Sequence, residues 1–403
     1  MLDMDESIPL RRTLSRLLVM FYGLGTILGA GIYVLIGKVA DKAGVYTPFA
    51  FLLAAFIALF TAVSYAELSS RFPKSAGEAF YVQRAFAQSW LSALVGWMVV
   101  LTGVVSAAAI TRGFTGYFQL FIPLPDWACI ILLLVLMGFI SIWGIKESAL
   151  MVMLVTLIEI VGLMIIIYLA HDQLGNLSSI WHKAEPLSMN ALTGIGAGAF
   201  LAFYSYIGFE DMVNVAEEIK NPERNLPVAI FWALGIATVL YLLVAFAMLA
   251  TVPLPILSSS DAPLATFMEM KGYSSLLIGF ISLIAIVNGA LAQVIMASRV
   301  MYGMAKQGTA PRQLGQVHAK TQTPVISTIC VVSVILTLAL GFNIEGLAKL
   351  TSVIILLVFM LIHAALIKIK LRREIDPKAV SYSIAFPIVG LITSSLFLIS
   401  QFF

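Results

Sequence analysis

The sequence predicts an all-α integral membrane protein with about eleven transmembrane helices. Composition is the first observation behind that reading: 61% of residues are hydrophobic and only 11% are charged, against about 45–50% and about 25% in a soluble domain. So few charges could not cover a water-facing surface, and the mean hydropathy of +1.00 points to lipid as the solvent. Second, the apolar stretches have lengths near the roughly 20 residues that cross a bilayer. Third, the basic residues between them alternate in abundance from one connection to the next.

In chain order the stretches fall at about 14–42, 48–70, 80–111, 127–145, 149–170, 193–218, 226–250, 273–304, 324–342, 346–368 and 380–402. None shows the alternating ten-residue pattern of a β-barrel strand. The whole chain, 1–403, reads as a single polytopic domain with no soluble catalytic unit. The N-terminus has no small-residue cleavage site after a short apolar core, so the first stretch is expected to be retained as a span. Cys129 and Cys330 both lie inside apolar runs, which argues against a disulfide framework. The longest external connections, about 171–192 and 251–272, are the places expected to carry a lid or a short surface helix.

Placing the N-terminus in the cytoplasm puts Arg11, Arg12, Arg16, Arg71, Lys74, Arg84, Lys146, Lys220, Arg224, Arg299, Lys306, Arg312, Lys320, Lys368, Lys370, Arg372, Arg373 and Lys378 inside. Lys38, Lys42, Arg112, Lys183, Lys271 and Lys349 are then outside, a division of 18 to 6 among the 24 Lys and Arg. A miscounted helix before the last loop would scramble that bias, so it also supports the span count. The expected location is the plasma (cell inner) membrane, multi-pass. The formal charge of +3 gives no reason to expect a nucleic-acid partner. The expected partners are lipid and a small molecule.

The first span contains GLGTILGAGIYVLIG, residues 23–37, with glycine at 23, 25, 29, 31 and 37. A dinucleotide-binding turn would need these glycines after a strand and at the opening of a helix, which this context excludes. Close helix packing and a deliberate break in the helix both fit. The sixth stretch carries a second polar, glycine-containing interruption at Ser205 to Gly208. Glycine costs about 1 kcal/mol against alanine inside a helix, and irregular backbone at membrane depth is tolerated where it lines a cavity. Two interruptions in matching positions of the two halves point to inverted repeats, about 14–170 and 193–370, with an extra helix at about 380–402. The half-helix after a break offers N–H groups and a positive dipole end to a carboxylate, and the half before it offers carbonyls to an ammonium. A zwitterionic amino acid uses both.

These segments resemble amino-acid permeases of the amino acid–polyamine–organocation (APC) superfamily. GLGTILGAGIYVLIG is similar to their first helix, and YAELSSRFPKSAGEAFYVQRAF, residues 65–86, to the region after helix two. FYSYIGFEDMVNVAEEIKNPERNLPVAI is similar to helix six and the start of seven, and ASRVMYGMAKQGTAPRQLGQVHAKTQTPV, residues 297–325, to the end of helix eight and its loop. The resemblance implies a LeuT-type five-plus-five inverted repeat with helices 1 and 6 broken, and secondary transport of amino acids. It implies that the substrate carboxylate meets amides around Gly29, Ala30 and Gly31. The amino group would meet carbonyls near Ile27, Tyr204, Ser205 and Ile207, and Phe209 would form a gate near the outer side. Ala30 stands where many relatives carry threonine or serine, Ser205 where they carry alanine, and twelve helices are usual there.

Glu159 sits near the centre of the fifth stretch, with Thr156 on the same helical face. An intramembrane carboxylate is costly and is read as functional by default. Some proton-coupled relatives place a lysine at the resembling position, so Glu159 is a coupling candidate, with a permanently neutral, hydrogen-bonded glutamate as the bland reading. No cofactor or metal site is expected; a proton or sodium is the coupling ion the resemblance allows. Glu67 and Arg299 are expected at cytoplasmic helix ends, solvated or paired as an inner gate. Glu217 and Glu218 are expected in interfacial ion pairs, Asn288 as a site-facing or helix-gluing group, and His363 as a helix-packing hydrogen bonder ahead of a proton relay. There is no HExxH helix, GxSxG elbow or Cys/His metal spacing, so an enzyme is not expected. A secondary transporter of neutral amino acids leads, by symport or exchange. A carrier of cationic amino acids or polyamines, or an amino-acid sensor or channel, stands as the alternative.

Overall fold

The computed structural model describes residues 12–74, 77–143, 149–173, 188–372 and 379–401. Arg11, Lys146, Lys183, Arg373 and Lys378, and most of the 171–192 connection, lie outside the described residues. Among the described residues everything regular is helical, apart from one bridge between Leu14 and Ile219. Among them seven helical stretches are long and apolar enough to cross a membrane, and four shorter apolar helices accompany these.

The first span is α1 (Arg16–Leu28) followed by α2 (Ala30–Ala43). Ser15 caps α1 by accepting the Leu18 N–H. The second span, α3 (Thr47–Arg71), opens on a proline in its first turn, where no intrahelical N–H is lost. A short helix α4 (Gly77–Phe86) precedes α5 (Ser89–Phe118). The stretch expected at 80–111 is therefore two elements. Ala87 adopts φ 54° between them, and the Ser92 hydroxyl donates back to Ala79 O at 2.9 Å. Because α4 is buried against α5, its apolar face reads in the sequence as a continuation of the span.

Next come α6 (Asp126–Trp143) and α7 (Ala149–Leu169), then the sixth stretch. That stretch is α8 (Met189–Tyr204), a turn over Ser205–Phe209, and a 3₁₀ segment Glu210–Glu218. Span seven is α9 (Pro222–Thr251), and the 251–272 connection carries two short helices, α10 (Leu254–Ser259) and α11 (Pro263–Met270). The remaining helices are α12 (Leu276–Lys306), α13 (Val325–Gly341), α14 (Ile344–Leu371) and α15 (Ala385–Ile399).

The halves of the two broken helices pack against each other's neighbours. Helix α2 lies on α8, α1 on α9 and α7, while α5 forms a central post against α12 and α14. Leu14 N donates to Glu218 O and Lys220 N to Leu14 O, tying the start of α1 to the end of the 3₁₀ segment. Charges gather at the two ends of the bundle. One end carries the pairs Arg71–Glu67, Lys370–Glu67 and Lys74–Glu217. The other carries Lys42–Glu345, Lys38–Asp261 and Lys271–Asp172.

Candidate functional site

The two interruptions meet. Helix α1 ends at Leu28, Gly29 takes φ −16° and ψ −126°, and α2 begins at Ala30. The break is thus one residue, with Ala30 and Gly31 forming the first turn of α2. Those first-turn N–H groups have no intrahelical carbonyl, and no side chain caps them. A Cβ placed on Gly31 would lie 2.5 Å from Ser205 Cα, so only glycine admits the second turn this close. Gly208 closes the same crossing from the other side. Its φ is 128°, and a Cβ there would come within 2.7 Å of Thr26 C and O.

Between the breaks lies a cavity bordered by Thr26, Ile27, Gly29, Gly31, Ser106, Ile110, Tyr204, Ile207, Gly289, Ala292 and Gln293. Its volume, measured to the centres of water-sized spheres, is about 20 Å³, room for about one water. No formally charged side chain borders it. Of the residues expected at a substrate site, Ile27, Gly29, Gly31, Tyr204 and Ile207 border the cavity. Ser205 packs on Gly31 beside it, with its hydroxyl buried and unpartnered. Ala30 lies in the chain between two of the bordering glycines.

The carbonyls expected to face an ammonium are mostly engaged. Tyr204 O accepts Ile207 N–H at 3.2 Å. Ile27 O and Ser205 O both face the Tyr241 hydroxyl, at 2.7 and 2.8 Å. Thr26 plays the matching role one residue earlier, its hydroxyl facing Gly23 O at 2.8 Å and Gly208 O at 2.9 Å. Each hydroxyl has one hydrogen for two carbonyls. Tyr204 turns its own hydroxyl away, to Ser106.

Phe209 and Glu159 do not border the cavity. Phe209 is packed in a ring cluster with Tyr65 at 5.8 Å and Phe359 at 5.7 Å. Tyr65 lies toward the Arg71 end of α3, the end that the charge bias assigns to the cytoplasm. The structure thus sets Phe209 on the Arg71 side of the break, which in the expected orientation is the inner side, whereas the gate was expected near the outer side. The reason is direction: the chain runs through span six from the Met189 end toward the Glu218 end, so a residue after the turn lies beyond it.

Glu159 is buried one layer behind. Its Oε1 accepts Asn288 Nδ2 at 3.3 Å, its Oε2 has no hydrogen-bond partner, and its backbone carbonyl accepts the Tyr33 hydroxyl at 2.7 Å. Thr156, on the same buried face, has its one hydroxyl hydrogen within reach of Phe21 O at 3.2 Å and Val152 O at 2.9 Å. Asn288 is therefore bound to Glu159, next to the cavity residue Gly289. His363 is held by the hydroxyls of Thr61 and Ser64 at 3.2 and 2.9 Å, and Gly390 of α15 packs on its ring.

Two expectations at the basic end are corrected. Glu67 is fully buried and pairs with Arg71 at 2.7 Å and Lys370 at 2.6 Å, while Arg299 is exposed on α12. Position at a helix end could not distinguish these partners, because α3 closes against α14 and not against α12 at that level. Glu217 does form an interfacial pair, with Lys74.

Sequence reasoning missed Tyr241, Thr26, Gln293 and the buried acids Glu210 and Asp211. Tyr241 carried a signal, since a tyrosine inside an apolar span needs a partner for its hydroxyl. So did the acids, adjacent carboxylates inside the sixth stretch.

A family model described as amino acid permease matches residues 14–403. The chain belongs to that family. It is 28% identical over 398 residues to the branched-chain amino acid permease of Bacillus subtilis, covering 92% of this chain and 83% of that protein. With the methylthioribose transporter of Bacillus subtilis it shares 30% identity over 418 residues, covering 97% and 88%. It is 29% identical over 404 residues to the vacuolar cationic amino acid transporter 4 of Arabidopsis thaliana, covering 94% of this chain and 66% of that longer protein. These relatives are permeases and transporters, so this is a transporter-family membrane protein and not an enzyme.

Proposed function

We propose that the protein is a secondary active transporter that moves amino acids across the plasma (cell inner) membrane by alternating access, with its N-terminus in the cytoplasm. The observation that carries this reading is the crossing of the two broken helices at Gly31–Ser205 and Gly208–Thr26, with a cavity at the crossing. In this reading the substrate carboxylate sits at the first turn of α2, over Gly29, Ala30 and Gly31, where N–H groups and the helix dipole favour an anion. Its ammonium meets the carbonyl set of Ile27, Tyr204, Ser205 and Ile207, of which Ile27 O and Ser205 O share the single Tyr241 hydrogen.

The narrow cavity corresponds to a collapsed state of the cycle, which opens by separating the α1–α2 unit from its neighbours. The two halves, about 14–170 and 193–370, act as inverted repeats that rock about the site. The bordering side chains favour neutral amino acids: Ile110, Ile207 and Ala292 are apolar, and Ser106 and Gln293 are uncharged. One observation favours a second reading, transport of cationic amino acids. Gln293 Nε2 donates to Asp211 Oδ2 at 3.2 Å, so a carboxylate stands just behind the cavity wall.

For coupling we propose Glu159, which loads a proton when the bundle opens one way and releases it when it opens the other. Uptake of an amino-acid panel into proteoliposomes under imposed pH and sodium gradients tests the whole reading. Saturable uptake and counterflow of a neutral amino acid, driven by pH and not by sodium, is the expected result. Absence of uptake or exchange for every amino acid and amine would remove it.

A further inference from the structure

Between the cavity and the Arg71 end of the bundle lies a group of buried acids, of which the reading above draws only on Asp211. Glu78 of α4 and Glu210 and Asp211 of the 3₁₀ segment are all buried. Glu78 Oε1 accepts the Tyr65 hydroxyl at 3.0 Å, Glu210 Oε2 accepts Gly208 N–H at 2.8 Å, and Asp211 Oδ2 accepts Gln293 Nε2 at 3.2 Å. The three feel one another electrostatically, and Tyr65 and Tyr81 feel Glu78. Tyr81, one turn beyond Glu78 on α4, is fully buried with its hydroxyl unpartnered.

Among the described residues no basic group pairs with them within 4.0 Å. Basic groups around α4 have other contacts: Arg84 lies over the Phe72 ring, Lys368 of α14 over the Phe86 ring at 4.4 Å, and Arg372 donates to Ala85 O. Nor do the acids converge as metal ligands: among the described residues no group of three acids, histidines or cysteines is placed to hold a metal ion. Close carboxylates out of water cannot all be ionised, so such a group holds protons. Its link to the cavity is Gln293, which borders the cavity and donates to Asp211.

We propose that Glu78, Glu210 and Asp211 form a proton-holding site on the Arg71 side of the cavity, separate from Glu159 and joined to the cavity through Gln293. Burial first, and the Asp211 carboxylate after it, push the Glu78 carboxyl up to about 7 from its ordinary 4.5, against the Tyr65 hydrogen bond, which favours the charged form. A folded-state value above the unfolded one means that the folded protein holds the proton more tightly. The resulting stability is fully present below about 4.5 and is lost as pH rises through about 7.

The test needs no substrate: thermal unfolding of the full chain in lipid nanodiscs from pH 4 to 9, in sodium and in choline buffers. Wild type should lose thermal stability across that window, and Glu78→Gln, which keeps the shape and cannot ionise, should lose less of it. Asp211→Asn should move the midpoint of the loss to lower pH, and Tyr65→Phe should move it to higher pH, opposite shifts that a merely structural role would not produce. An infrared pH titration of wild type gives a readout free of variants: the C=O band of a protonated buried carboxyl should disappear over the same window. Superimposable pH profiles for wild type and Glu78→Gln, midpoints unmoved by Asp211→Asn and Tyr65→Phe, no titrating carboxyl band, or a pH profile that shifts with sodium would each overturn the assignment.

Discussion

Gly208→Ala is the sharpest single test of how the two broken helices meet. The substitution adds one methyl group at a position with two separate problems. At φ 128° the backbone lies where L-residues are rarely found, and holding one there costs of order 1–3 kcal/mol. The new Cβ would also lie 2.7 Å from Thr26 C and O and 3.1 Å from Ile27 N. These are backbone atoms, so relief requires moving α1, and overpacking of this kind costs about 1–3 kcal/mol. Together the expected loss is about 2–6 kcal/mol, a large share of a typical 5–15 kcal/mol stability. The control is Gly235→Ala on the exposed side of α9, where a Cβ meets nothing within 4 Å and helix propensity favours alanine by about 1 kcal/mol. Thermal unfolding of both purified variants in the same detergent measures the difference. Gly208→Ala should melt well below wild type and Gly235→Ala at or above it. Equal melting temperatures for the two would refute the claim that Gly208 holds the crossing together.

Gly31→Leu should abolish transport while the protein still inserts, because its Cβ would meet Ser205 Cα at 2.5 Å, and counterflow with a membrane-insertion control reads both. Tyr241→Phe removes the one hydroxyl facing Ile27 O and Ser205 O, so about 1–3 kcal/mol of stability should be lost, measurable by thermal unfolding. Glu159→Gln should leave the protein folded and flatten the pH dependence of uptake in proteoliposomes; an unchanged pH profile would end its coupling role. Lys370→Met should weaken the buried Glu67 cluster and lower the melting temperature, and Glu67→Ala, which removes the carboxylate that both Arg71 and Lys370 pair with, should cost more, about 3–5 kcal/mol.

Much of this arrangement was legible in the residues, and the parts that were not share a cause. The interruptions at Gly29 and at Ser205–Gly208 announce themselves because glycine and polar residues in a span are unusual wherever they point. Close helix packing, the other role that fits this glycine-rich stretch, holds at Gly23 and Gly25, which rest on the Met212 and Thr156 side chains. Gly37 gives no such signal. A substitution to alanine there looks harmless on the sequence, yet its missing Cβ makes room for the Leu257 carbonyl of α10, more than two hundred positions away in the chain. Nothing local marks such a contact, and Gly37→Ala is now expected to disturb the seat of α10 on α2. Glu67 illustrates the same limit. Its burial against Lys370 depends on where α14 ends relative to α3, a length relationship that charge bias does not encode. Helix α4 disappeared into a hydropathy run because a buried interfacial helix and a span have the same apolar signature.

The polar budget of the crossing connects these contacts to the proposed substrate. Four carbonyls, those of Gly23, Ile27, Ser205 and Gly208, face two hydroxyls, of Thr26 and Tyr241, each with a single hydrogen to give. Acceptors therefore outnumber the side-chain donors at the crossing, with Gly208 O accepting Asp211 N–H at 3.2 Å as well. On the other side, the first turn of α2 has N–H groups and no capping side chain, so donors are in excess. A ligand that brings N–H donors at one end and carboxylate acceptors at the other balances both sides at once. A simple amine corrects only the first imbalance, and a simple acid only the second. On the proposed reading this is why the ends of an amino acid are bound by backbone, leaving Ile110, Ile207, Ser106 and Gln293 to meet its side chain. Substitutions at those four positions should then change which amino acid is carried. Substitutions that disturb Gly31, Gly208 or Tyr241 should weaken the transport of all of them alike.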